Sequence, residues 1–125
     1  MIYIIDHKDS FTHNVVHQFE NFDDVTCDNY NEINESKLKK SKVIVFSPGP
    51  GAPKDYPISS NIYKRFKGKK KIIGICLGFQ QILYCEKGKI IKQKKIFHGY
   101  QSKIKVTGEN SLFKKNRKFN VGRYH

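Results

Sequence analysis

The chain has 125 residues, 38% of them hydrophobic and 13% aromatic, with a formal net charge of +13. That length suits one compact domain, residues 1–125, and the apolar fraction excludes wholesale disorder. No apolar run approaches the roughly 20 residues a membrane-spanning helix needs. The charge does not by itself make a nucleic-acid binder. Only Arg65, Arg117 and Arg123 are arginines, and the lysines lie between apolar segments without a helix-turn-helix, zinc-finger or aromatic stacking signature.

Met1 to Ile5 is a continuous apolar run, as expected of a strand buried on both faces. It is too short for a signal sequence and runs straight into Asp6-His7-Lys8-Asp9, so a cytoplasmic protein is expected. Ser10 is placed to cap a following helix, with Phe11, Val15, Val16, Phe19 and Phe22 at helical spacing. Val25-Thr26-Cys27 predicts a short strand, and Asn29 to Asn34 a loop, with a helical turn near Glu35 to Lys39. Lys42 to Phe46 is a further apolar strand, ended by Ser47-Pro48-Gly49-Pro50-Gly51. Ile58, Ile62, Tyr63 and Phe66 mark one helical face. Ile72 to Ile75 predicts a fourth strand and Gly78 to Glu86 a helix that stops at Gly88. Beyond Lys89 the pattern is short and strand-like, at Ile90-Ile91, Ile104 to Val106 and Phe119 to Val121. Strands alternating with helices indicate an α/β fold, an open, mostly parallel sheet flanked by helices.

In such sheets ligands gather beyond the carboxyl ends of the strands. Three unusual segments fall there: Asp6 to Ser10, Ser47 to Gly51, and Cys76. The strongest is Gly74-Ile75-Cys76-Leu77-Gly78-Phe79-Gln80, which follows an apolar strand. A nucleophile on a sharp strand-to-helix turn sits in a strained backbone conformation, so its neighbours two residues away must be small. Gly74 and Gly78 meet that need. The turn also sets the thiol at a helix N-terminus, where the helix dipole favours thiolate. The N–H of Leu77 is placed to bind an oxyanion. In the Ser47–Gly51 segment, prolines fix φ and glycines allow the main chain to approach a ligand. Of the other cysteines, Cys27 and Cys85 are expected to be small buried hydrophobes. With Cys76 they form no CxxC pair and no metal-ligand pattern, so no metal and no organic cofactor are implied.

The segment from Gly74 to Gln80 resembles the nucleophile motif of the class I glutamine amidotransferases, a flavodoxin-like α/β family. Phe79 stands where His or Met is usual. The resemblance implies that Cys76 attacks the carboxamide of L-glutamine and that Gln80 contacts it. Ser47 to Gly51 resembles the family's oxyanion loop. By that likeness Gly49, Pro50 and Gly51 line the glutamine site, and the Gly51 N–H joins that of Leu77 in the oxyanion hole. Asp6-His7-Lys8-Asp9-Ser10-Phe11-Thr12-His13-Asn14 resembles a signature of the subgroup that serves anthranilate and 4-amino-4-deoxychorismate synthases. His98-Gly99 and Gly122-Arg123-Tyr124-His125 resemble two further segments of that subgroup, although Tyr100 replaces a usual Lys. The resemblance implies a chorismate-using synthase subunit (component I) as partner, with neither nucleic acid nor membrane.

The family's His-x-Glu pair and the Ser-Leu pair after Arg-Tyr-His are not in these 125 residues. The domain is therefore expected to be C-terminally incomplete. His7, His13 and His17, on or beside the first helix, are expected in surface or interface roles. His98 and His125 are weak substitutes for the base. Two other readings stay open at this point: a non-catalytic synthase-binding remnant of the fold, and a general cysteine hydrolase.

Overall fold

A computed structural model describes residues 1–109 and 112–124. The chain divides into two compact units, Met1–Ile90 and Ile91–His125.

In the first unit four strands form one sheet: β1 (Ile2–Asp6), β2 (Val25–Asn29), β3 (Val43–Phe46) and β4 (Lys71–Gly74). Their order is β2-β1-β3-β4, and every pairing is parallel. The register sets Ile5 beside Phe46 and Phe46 beside Gly74, so the carboxyl ends of β1, β3 and β4 lie level. Helices α1 (Thr12–Glu20), α2 (Glu35–Lys40), α3 (Pro57–Phe66) and α4 (Leu77–Cys85) connect or follow them, with a 3₁₀ turn at Pro53–Asp55.

The two faces of the sheet divide the strand residues by the period of two that a pleated strand imposes. Tyr3, Ile5, Ile44 and Phe46 pack with Leu38 of α2 and with Ile62, Tyr63 and Phe66 of α3. Ile2, Ile4 and Val45 pack on the other face with Val15 of α1, flanked by Val16 and Phe19. Burial on both faces explains why β1 and β3 read as unbroken apolar runs rather than alternating ones. Among the described residues no helix is long and apolar enough to cross a membrane.

Three local expectations are corrected. Ser10 does not cap α1. Phe11 holds the N-cap position and supplies no side-chain cap. The turn is closed instead by carboxylates, Asp6 accepting from the Lys8 N–H (2.9 Å) and the Thr12 hydroxyl (2.8 Å) and Asp9 from the Phe11 N–H (2.8 Å). Phe11 and Phe22, placed at helical spacing by the sequence, are 52% and 81% exposed, because they flank α1 at its two ends instead of lying on its buried stripe of Thr12 and Val15. Ile90-Ile91 forms no strand, and Ile91 is 80% exposed.

The second unit contains β5 (Tyr100–Lys105) and β6 (Lys118–Arg123), an antiparallel pair in which Tyr100 faces Arg123. The Gly99 N–H donates to the Arg123 carbonyl at 2.8 Å, extending the pairing by one residue.

Candidate active site

Cys76 occupies the turn between β4 and α4 with φ 54° and ψ −109°. A positive φ is costly for a residue bearing a Cβ, about 1–3 kcal/mol, and persists only where the surroundings enforce it. The enforcement is visible. A Cβ on Gly78 would stand 2.1 Å from the Phe46 carbonyl oxygen, and one on Gly74 would stand 2.5 Å from the Gly78 carbonyl. Two glycines thus let α4 start directly against the ends of β3 and β4. The Ile75 N–H donates to the Phe46 carbonyl at 3.0 Å, continuing the ladder up to the turn. Leu77 is the first residue of α4, and the first N–H groups of a helix have no acceptor four residues back. Gln80 lies half-buried in the first turn of the same helix.

The loop after β3 meets this turn. A Cβ on Gly49 would stand 2.7 Å from Leu77 Cδ2 and 2.5 Å from the Cβ of His7, so the loop backbone is wedged between the two. Gly51 adopts φ 76°, open to glycine without strain. Tyr56 donates its hydroxyl to the Pro50 carbonyl at 2.8 Å, and Asp55 accepts from the Ala52 N–H at 2.9 Å. Pro50 and Gly51 are exposed, whereas Leu77 is buried. The elements carrying Cys76, Leu77, Gln80, Gly49, Pro50 and Gly51 therefore converge at one edge of the sheet. A thiol at a helix start beside a glycine- and proline-rich loop has the chemical makings of a nucleophile facing backbone donors.

His7, expected at the surface, is fully buried. Its N–H donates to Ser47 Oγ (2.9 Å), its Nδ1 lies 3.2 Å from the Ser47 carbonyl oxygen, and its Nε2 lies 2.9 Å from Ser59 Oγ on α3. A carbonyl only accepts, so Nδ1 carries the proton and the Ser59 hydroxyl donates to Nε2. Tyr56 packs edge-on to the ring at 4.7 Å between centroids. Burial holds the imidazole neutral, its pKa lowered to about 4. The signal for this position was present in the strand period, since Tyr3, Ile5 and His7 fall on one face. Gln81 was also not singled out; it is buried and donates to Ser60 Oγ at 2.6 Å, tying α4 to α3.

Neither other cysteine joins the site. Cys85 packs half-buried against the core, much as expected. Cys27 is exposed, not buried, because it lies on β2 at the margin of the sheet. Its thiol is nevertheless pushed up to about 11 by desolvation and by the Asp6 and Asp28 carboxylates. His13 and His17 are exposed on α1, and His125 lies outside the described residues. In the second unit the exposed His98 meets Tyr124 edge-on at 5.4 Å, while the Arg123 guanidinium covers the Phe97 ring at 3.8 Å. The His98-Gly99 and Arg123-Tyr124 segments are thus neighbours.

Comparison with known proteins bears on the family and the fold. The family model described as glutamine amidotransferase class-I matches residues 3–125. The anthranilate synthase component 2 of Lactococcus lactis subsp. lactis is 39% identical over 127 residues, covering 100% of this chain and 64% of that protein. The aminodeoxychorismate synthase component 2 of Escherichia coli is 34% identical, covering 100% of this chain and 68% of that protein. The chain thus spans about two thirds of the length of these relatives. A crystal structure of a Thermoplasma acidophilum protein, described as part of a GMP synthase, superposes with a TM-score of 0.76 at 22% identity. It is matched over 99% of this chain and 63% of its own. That likeness concerns the fold.

Proposed function

The chain belongs to the class I glutamine amidotransferase family, and from that membership we propose that it hydrolyses L-glutamine to deliver ammonia to a chorismate-using synthase. The observation that carries the reading is Cys76 at positive φ on the strand-to-helix turn, with the Gly49 backbone pressed against the residue that follows it. The Cys76 thiolate attacks the carboxamide carbon of glutamine, and the negative charge gathers on the carboxamide oxygen. The N–H groups of Leu77 and Gly51 stabilise that oxyanion, while Gly49, Pro50 and Gln80 hold the rest of the substrate. Collapse of the intermediate breaks the C–N bond as the departing nitrogen takes up the proton the thiol gave up, so ammonia leaves and a glutamyl thioester remains. Water then hydrolyses the thioester to glutamate and restores the thiol.

The choice of partner is supported by the similar component 2 proteins of anthranilate and aminodeoxychorismate synthases and by the Asp6–Asn14 signature. Ammonia released here aminates chorismate on component I of the synthase, towards anthranilate or 4-amino-4-deoxychorismate. The cytoplasm fits this reading, because its reducing surroundings keep a thiol nucleophile from being oxidised.

The test uses a chloroketone that keeps the amino-acid end of glutamine and carries a chloromethyl ketone in place of the carboxamide. It should alkylate Cys76, and excess L-glutamine should slow the reaction while D-glutamine does not. Alkylation without protection by L-glutamine would favour a general cysteine hydrolase. No modification of Cys76 would remove the nucleophile assignment.

A further inference from the structure

We infer that His7 is a positioning residue for the oxyanion loop, its ring fixing the Ser47–Gly51 backbone at the distance from Leu77 that two converging N–H groups require. The inference rests on the glutamine-site reading above and adds a residue that the reading does not contain.

Three observations support it. His7 is fully buried, yet its backbone N–H and both ring nitrogens are directed at two places, the start of the loop and α3. Ser47 is engaged on both sides of its own peptide. Its hydroxyl accepts from the His7 N–H and donates to the Pro48 carbonyl at 2.6 Å, and its carbonyl accepts from Nδ1. Thirdly, Gly49 approaches His7 and Leu77 so closely that a Cβ there would stand 2.5 Å from the His7 Cβ and 2.7 Å from Leu77 Cδ2. The start of the loop therefore cannot tilt without lengthening the hydrogen bond from His7 Nδ1 to the Ser47 carbonyl.

The ring is itself held from outside the loop. The Ser59 hydroxyl fixes Nε2, and Tyr56 and Tyr30 close the aromatic box, with Tyr56 also reaching the Pro50 carbonyl. Helix α3, strand β1 and the loop are coupled through one imidazole. A core-filling aromatic would occupy the same volume but could not donate to the Ser47 carbonyl. The polar ring is thus explained by its hydrogen-bond partners on the loop and on α3, and not by packing.

The experiment compares the full chain with His7→Phe, His7→Asn and Ser59→Ala, reading Cys76 modification by the glutamine chloroketone and, separately, by iodoacetamide. Iodoacetamide needs only an accessible thiol, whereas the chloroketone must be seated by the loop. His7→Phe should lower the chloroketone rate constant about tenfold or more, since misplacement by about 1 Å can cost ~10²-fold. Its iodoacetamide rate should stay near that of the wild type. His7→Asn keeps an N–H donor and should recover most of the loss. Ser59→Ala removes only the hydroxyl on Nε2, so a smaller loss of the same kind is expected even where His7→Phe fails to fold. Unchanged chloroketone rates in all three variants would overturn the inference, as would equal slowing with both reagents. If the wild-type chain shows no L-glutamine protection, the glutamine-site reading falls and this inference with it. Protection in the wild type with indifferent variants removes only the role of His7.

Discussion

Cys76 and His7 answer opposite chemical needs within one edge of the sheet. The thiol sits on a strained turn at a helix start, while the imidazole is fully buried. The first prediction concerns the three cysteines. Desolvation and two carboxylates raise the Cys27 thiol to about 11, so at pH 7.5 only about one molecule in three thousand carries that thiolate. Limited iodoacetamide followed by peptide mapping should label Cys76 before Cys27 despite the exposure of Cys27, and before the core-packed Cys85. Preferential labelling of either of the others would contradict the assignment.

The second prediction concerns acid. The folded pKa of His7 is lowered to about 4, below its ordinary 6.5, because burial disfavours the charged ring. Between those values the unfolded chain binds more protons than the folded one. Stability is therefore lost as pH falls from about 6.5 towards about 4, on the order of 3 kcal/mol from this group. Urea unfolding at pH 7 and pH 4.5 should show a larger acid loss for the wild type than for His7→Asn, in which the group is absent. Equal losses would contradict it. At this scale the strand-to-helix turn at Cys76 was legible in sequence, because Gly-x-Cys-x-Gly after a strand has few other physical reasons. His7 was misjudged as a surface residue because its neighbours Asp6, Lys8 and Asp9 are charged, a local cue that the strand period overrides.

Among the elements, the four strands and the longer helices follow from apolar runs and helical spacing. The misreadings lie where a local rule competes with tertiary context. Ser10 is a good cap by type, but the Asp6 and Asp9 carboxylates already hold the turn. Phe22 continues the apolar spacing of α1 past the end of the helix, where no core remains to cover it. Ile90-Ile91 has the composition of a strand without a strand to pair with among the described residues. The contact that sequence could not measure is the closeness of α4 to β3, and it yields the third prediction. Gly78→Ala places a Cβ 2.1 Å from the Phe46 carbonyl, against backbone that cannot swing aside. Its cost should reach the upper end of the ~1–3 kcal/mol usual for overpacking, or exceed it. Gly108→Ala, with nothing within 4 Å, should change stability by less than about 0.5 kcal/mol. Chemical denaturation of both variants checks the contrast, and a tolerated Gly78→Ala would show that α4 is seated more loosely.

At the scale of the whole molecule, these 125 residues contain no His-x-Glu pair. Among the described residues His7 is sealed beneath the loop, and His13, His17 and His98 are exposed. A polypeptide of these 125 residues should therefore turn glutamine over ~10²–10⁴-fold more slowly than one that includes that pair, because general acid–base help of about that size serves both the departing amine and the attacking water. Glutamate assays with and without component I of the synthase check this. Robust turnover lost in Cys76→Ala would mean that another residue supplies the base.

Slow turnover does not hide the first covalent step, since a single event per molecule suffices to detect it and its hydrolysis is slowed as well. The chain is incubated for hours with L-glutamine, quenched in acid and digested, and each cysteine peptide is weighed. A glutamyl adduct formed with loss of ammonia should appear on the Cys76 peptide alone, and should be absent with L-asparagine and in Cys76→Ala. A glutamyl adduct on Cys27 or Cys85, or none on Cys76 after prolonged incubation, would contradict the claim that this thiol attacks glutamine.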